Sequence, residues 1–121
     1  MRFLVVDDSS TMRRIIINTL NKVGYTDCAE AANGREGVER LATTTVDMVI
    51  TDWNMPEMSG IEFIRSVRAN AATKDLPVLM VTTNAAKDDI VEALRAGVSS
   101  YVVKPFTPET IKEKIEAMLA R

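Results

Sequence analysis

The chain contains no histidine among its 121 residues, and only one cysteine, Cys28. Without imidazole, histidine-based acid/base catalysis is excluded, and with a single thiol a zinc site is implausible. Any metal must then be a hard cation held by oxygen ligands. One cysteine also rules out an internal disulfide and suits a reducing compartment. No stretch approaches membrane-spanning length, and no long apolar segment follows Met1-Arg2-Phe3, so a cytosolic protein is expected. A Lys/Arg block is missing too, and with a net charge of -2 nucleic-acid binding is not expected. Gly34 and Gly37 form no phosphate loop, and no Walker-type or dinucleotide fingerprint occurs.

What is present is ordinary in bulk, with 46% apolar and 26% charged residues. The length fits one domain, 1–121, able to bury roughly two-thirds of its unfolded surface. Short apolar runs alternate with amphipathic segments. Phe3–Val6 lacks period-two alternation and reads as a strand buried on both faces. Met12, Ile15, Ile16, Leu20 and Val23 then recur at helical spacing up to Gly24. A weaker strand follows around Asp27–Ala31, and Asn33-Gly34-Arg35-Glu36 has the form of a capping box before Val38 and Leu41. The third strand spans Met48–Thr51, and Ser59-Gly60-Ile61-Glu62 caps a helix with Ile61, Ile64 and Val67 inside. Pro77 opens the fourth strand, while Ile90, Val91 and Leu94 mark a helix closed by Gly97. The last strand ends at Val103; Thr107 and Pro108 start a helix that buries Ile111, Ile115 and Leu119. Five such repeats predict an α/β fold, a doubly wound parallel sheet with helices on both faces.

The polar residues at the strand ends carry the chemistry. Asp7 and Asp8 follow the first strand, Asp52 the third; Thr82 ends the fourth and Lys104 follows the fifth. Ligands of such sheets bind beyond the carboxyl ends of the strands. A lone Asp-Asp pair is usually a helix cap, but three clustered carboxylates repel and require a compensating cation. Magnesium meets that need with one or two carboxylates and several waters. Asp52 is then the preferred nucleophile, since a carboxylate can form an acyl phosphate. Lys104 would neutralise a phosphoryl oxygen as a point charge, and the Thr82 hydroxyl would hydrogen-bond the same group. The Lys104-Pro105 bond is of the kind that can be cis in a sharp turn. Arg13-Arg14 and Lys112–Lys114 read as solvated helix faces, and Trp53 and the seven methionines as packing or loop contacts.

Five stretches in order, Phe3–Asp8, Ser10–Ile15, Asp52-Trp53-Asn54-Met55-Pro56, Pro77–Thr82 and Tyr101–Phe106, make the chain resemble bacterial response-regulator receiver domains. The likeness is greatest to the stand-alone chemotaxis regulators. It implies a flavodoxin-like sheet of order 2-1-3-4-5. It further implies Asp52 as phosphoacceptor, with Asp8, Asp52 and the backbone carbonyl of Asn54 as magnesium ligands and Asp7 assisting. Thr82 and Lys104 would contact the phosphoryl group, and Tyr101 would change rotamer as Thr82 moves. The fourth helix, fifth strand and fifth helix would bind the output partner. Three positions depart from the commoner pattern. Thr83 stands where Ala or Gly is usual and narrows access to Asp52; Asn84 tunes dephosphorylation; Ser59 replaces an Asp or Asn.

The expected function is a phosphorylation-operated switch with no catalytic output of its own. It would take phosphate from a histidine kinase and bind the flagellar motor switch protein, with a phosphatase as a further partner. Two other readings stay open. One is a relay receiver passing phosphate to a histidine protein. The other is a magnesium-dependent phosphohydrolase with an aspartyl-phosphate intermediate. The second is disfavoured by Asn54, which stands where such enzymes carry an acid/base aspartate. A flavin- or nucleotide-binding module of this topology is poorer still, because acids occupy the loops where phosphate would sit.

Overall fold

Phe3, Leu4, Val5 and Val6 are fully buried, as a run of apolar residues must be when helices cover both sides of a central strand. The computed structural model describes residues 1–120, and in it strand and helix alternate five times. The strands are β1 (Arg2–Val6), β2 (Asp27–Ala31), β3 (Met48–Thr51), β4 (Val78–Thr82) and β5 (Ser100–Val103). The helices are α1 (Ser10–Lys22), α2 (Gly34–Thr43), α3 (Gly60–Ala69), α4 (Lys87–Ala96) and α5 (Pro108–Leu119). All strands are parallel, in the expected order β2-β1-β3-β4-β5.

Alternate strand residues feed two cores. Phe3, Val5, Ile50, Leu79 and Val81 face Ile16 and Leu20 of α1 and Ile111 and Ile115 of α5. Leu4, Val6, Val49 and Met80 face Phe63, Ile64 and Val67 of α3 and Ala93 of α4. Each layer therefore seals one face of the sheet. Among the described residues no helix is long and apolar enough to cross a membrane.

Register places the site. Val6 pairs with Thr51 and Thr82 with Val103, so Asp7 lies beside Asp52, and Lys104 beside the end of β4. The amide of Asp52 donates to Val6 O at 3.0 Å, and that of Lys104 to Thr82 O at 2.8 Å. Between β1 and β3 the strand order reverses, the point where such sheets open a crevice.

Two local expectations need correction, and α4, which forms and ends at Gly97 as expected, turns its apolar residues outward. The Asn33 box forms only in its forward half: Oδ1 accepts from the Glu36 amide, while the side-chain amide donates to Glu57 instead. The residues marking α4 are not its buried side. Val91 and Leu94 face solvent at 36% and 50% exposure, and Ala93 is the one buried residue of the helix. Leu119 is likewise outside, at 47% exposure, because Met118 takes the core position beside it. The Ser59 box of α3 closes in both directions, and Thr107 and Pro108 start α5 as expected.

Candidate functional site

Backbone placement alone brings the acids together, and side-chain bonds then fix two of them. Asp7 is almost completely buried; its Oδ1 accepts from the Ser9 amide at 2.9 Å. Asp52 Oδ1 accepts from the Trp53 amide at 2.6 Å. Lys104 reaches in from the end of β5 and bonds both, at 3.3 Å to Asp7 Oδ2 and 3.2 Å to Asp52 Oδ2. The peptide bond that follows it, to Pro105, is cis. Asp8 is exposed, and among the described residues no protein donor holds its carboxylate.

Asp7, Asp8 and Asp52 each present an oxygen within 4.8 Å of the others, a group that could hold a metal ion. The donors are hard oxygens only, which suits magnesium and not a thiophilic metal. Charge is incompletely balanced, since one ammonium faces three carboxylates. Burial pushes the Asp7 carboxyl above its ordinary value and the Asp52 charge adds to this; the Ser9 amide and Lys104 act in the opposite direction.

Thr82, Asn84 and Tyr101 form a second group. Thr82 is fully buried, and its Oγ1 accepts from the Asn84 amide at 3.4 Å. The Tyr101 hydroxyl donates to the Asn84 carbonyl at 2.5 Å. The Asn84 side chain in turn accepts from Asn54 Nδ2 at 3.0 Å. Burial, with Asp89 and Asp52 nearby, pushes the Tyr101 phenol up to about 12, so it stays protonated at neutral pH and can donate this bond. Neither Thr82 nor Tyr101 bonds the carboxylates directly. Asn84 joins the predicted switch residues to the loop after Asp52.

Residues 3–116 match the family model described as the response regulator receiver domain. The chain belongs to that family. It is 52% identical over 120 residues to chemotaxis protein CheY1 of Helicobacter pylori, covering 98% of this chain and 97% of that protein. With chemotaxis protein CheY of Pseudomonas aeruginosa the identity is 53% over 121 residues, covering 100% and 98%. The solved structure of Vibrio cholerae CheY4 superposes with a TM-score of 0.89 at 36% identity, over 97% of both chains.

Several residues that hold this receiver's site or its fold together have no obvious signature in the sequence. Gly60 donates its amide to Trp53 O at 2.7 Å, and a Cβ there would lie 2.1 Å from Asp52 O. Only glycine lets α3 begin against the backbone of Asp52. Gly34 and Gly37 serve packing in a similar way, since a Cβ on either would strike Phe63 within 2.9 Å. Arg13, expected on a solvated face, is instead half-buried and donates to Asp7 O and Glu30. Arg68 donates to the carbonyls of Gly97, Lys74 and Leu76, pinning α3 to the end of α4 and the approach to β4. Glycine contacts and bonds to carbonyls depend on tertiary placement, whereas a helix-capping Ser or an acid at a strand end carries a local signal.

Proposed function

We propose that this receiver is a phosphorylation-operated switch of the chemotaxis type, with Asp52 as phosphoacceptor. The reading rests on one observation above the rest: the Lys104 ammonium lies between Asp7 and Asp52, with Asp8 completing the acidic group. Asp7, Asp8, Asp52 and the backbone carbonyl of Asn54 would hold magnesium. When bound, the ion supplies positive charge for the phosphoryl oxygens.

A histidine kinase is the donor. An Asp52 carboxylate oxygen bonds to phosphorus as the phosphorus–nitrogen bond of a phosphohistidine breaks, and the imidazole leaves with that electron pair. Lys104 exchanges its bond to Asp52 for one to a phosphoryl oxygen, and the Thr82 hydroxyl donates to another. Moving Thr82 disturbs its bond to the Asn84 amide, and the Asn84 carbonyl is the acceptor that holds Tyr101. The phosphoryl group thus biases Tyr101 between two positions by its differential contacts.

Output is by binding, and the motor switch protein of the flagellum is the partner; a phosphatase would end the signal. The partner's surface is the face of α4, β5 and α5, where Val91, Leu94 and Val103 are exposed. The chain, taken as one domain over 1–121, works in the cytoplasm as a switch and not as an enzyme. The names of its chemotaxis relatives support this assignment.

Trp53, the one tryptophan, adjoins the acceptor and reports on it. Its fluorescence is expected to change with magnesium, then again with a small acyl-phosphate donor, and the second change should vanish in Asp52→Asn. A donor response that persists in Asp52→Asn, or none in the parent, would overturn the assignment.

A further inference from the structure

Arg13 occupies the first turn of α1, and its side chain is only 16% exposed. Nη1 donates to the Asp7 carbonyl at 2.6 Å, and Nε to Glu30 Oε1 of β2 at 2.9 Å. The Asp7 carbonyl belongs to the peptide unit that joins Asp7 to Asp8. Because that unit is planar, holding its oxygen fixes the direction in which Asp8 leaves it. This matters for Asp8 more than for its neighbours. Ser9 and Lys104 hold the Asp7 carboxylate, and Trp53 and Lys104 that of Asp52. The Asp8 carboxylate has no such donor among the described residues, so the backbone alone aims it.

We propose that Arg13 is a positioning residue for the magnesium site. Anchored on Glu30, its guanidinium holds the Asp7–Asp8 peptide so that the Asp8 carboxylate converges with those of Asp7 and Asp52. The inference rests on Asp8 being a magnesium ligand, as proposed above. A planar guanidinium serves two acceptors from one fixed fork, which a lysine ammonium does not. The role also has a sign of its own. A positive charge beside a cation site weakens cation binding, so by charge alone the loss of Arg13 would tighten it. Loss of positioning has the opposite effect.

The test titrates the full chain with magnesium, read by Trp53 fluorescence and by calorimetry, with urea unfolding as the measure of folding. Arg13→Met removes charge and fork at similar length. It is expected to weaken magnesium about tenfold, the lower end for a lost partner of a metal ligand. Arg13→Lys retains one donor for the Asp7 carbonyl without the fork and should show a smaller loss. Magnesium bound by folded Arg13→Met as tightly as by the parent, or more tightly, overturns the inference. Should Arg13→Met not fold, Arg13→Gln is judged by the same criterion. Asp8→Asn separates the two levels. If it leaves magnesium affinity unchanged, the metal-site reading fails and this inference with it. If it weakens binding while Arg13→Met does not, the positioning role alone fails.

Discussion

Asp7→Asn should make the magnesium-free protein more stable, although it removes half of a buried ion-pair arrangement. At an effective dielectric of about 20, Lys104 at 3.3 Å attracts the Asp7 carboxylate by about 5 kcal/mol. Asp52, within 4.8 Å, repels it by at least about 3.5 kcal/mol on the same scale. The balance, at most about 1.5 kcal/mol in favour of charge, is smaller than the several kcal/mol that burying a carboxylate costs. Burial therefore decides the sign, in keeping with the raised pKa of Asp7. Asparagine keeps an oxygen for the Ser9 amide and leaves Lys104 paired with Asp52. We expect a gain of about 1–2 kcal/mol at pH 7, or roughly 3–10 °C in Tm for a chain of this size.

The pH dependence follows from the direction of the shift. A carboxyl whose folded-state pKa is raised favours folding most at low pH. That contribution is lost as pH rises from the ordinary value of 3.8 through the folded-state value. The advantage of Asp7→Asn should accordingly grow with pH across that window and then level off. The assay is urea unfolding followed by circular dichroism in the presence of a chelator, repeated with excess magnesium, where the advantage should shrink or reverse. An Asp7→Asn protein less stable than its parent at pH 7 without divalent cations would refute the reasoning.

Gly60→Ala should cost about 1–3 kcal/mol in urea unfolding, the usual range for overpacking, because its Cβ meets Asp52 O at 2.1 Å. The displaced Asp52 backbone should also slow labelling by an acyl-phosphate donor, which a stability loss alone would not do in the folded fraction. Arg68→Met strips donors from the carbonyls of Gly97, Lys74 and Leu76 and should lower stability by about 2–4 kcal/mol. Magnesium affinity should be unchanged in that variant, since none of those carbonyls belongs to the acidic site; a calorimetric titration checks this.

Sequence pattern locates four of the strands because each holds a short apolar run, β2 with its Asp27 and Glu30 being the weaker signal, and it locates the acids because they stand immediately after two of those runs. Strand pairing converts that one-dimensional position into a three-dimensional one, so Asp7, Asp8 and Asp52 are legible in the order of residues alone. Lys104 is legible for the same reason. Arg13 is not, because its charge suggests solvent and its acceptors are a backbone carbonyl and an acid on β2, which nothing in its own neighbourhood of the chain announces. Gly34, Gly37 and Gly60 carry information only through what a Cβ would strike. In α4 the apolar spacing is real but points outward, for periodicity identifies a helix without saying which face meets the sheet.

Ala93 has a wider consequence. A buried alanine contributes one methyl, on the order of 1 kcal/mol of burial. Its helix, with Ile90 and Ala96 half-buried, is therefore fastened far more lightly than α3, which buries Ile61, Phe63, Ile64 and Val67. Free energy of local opening follows such differences, so amide exchange should reach α4 through small excursions long before the rest of the domain yields. The segment that leads into it begins at Thr82 and Asn84, where a change in hydrogen bonding acts on a lightly fastened element.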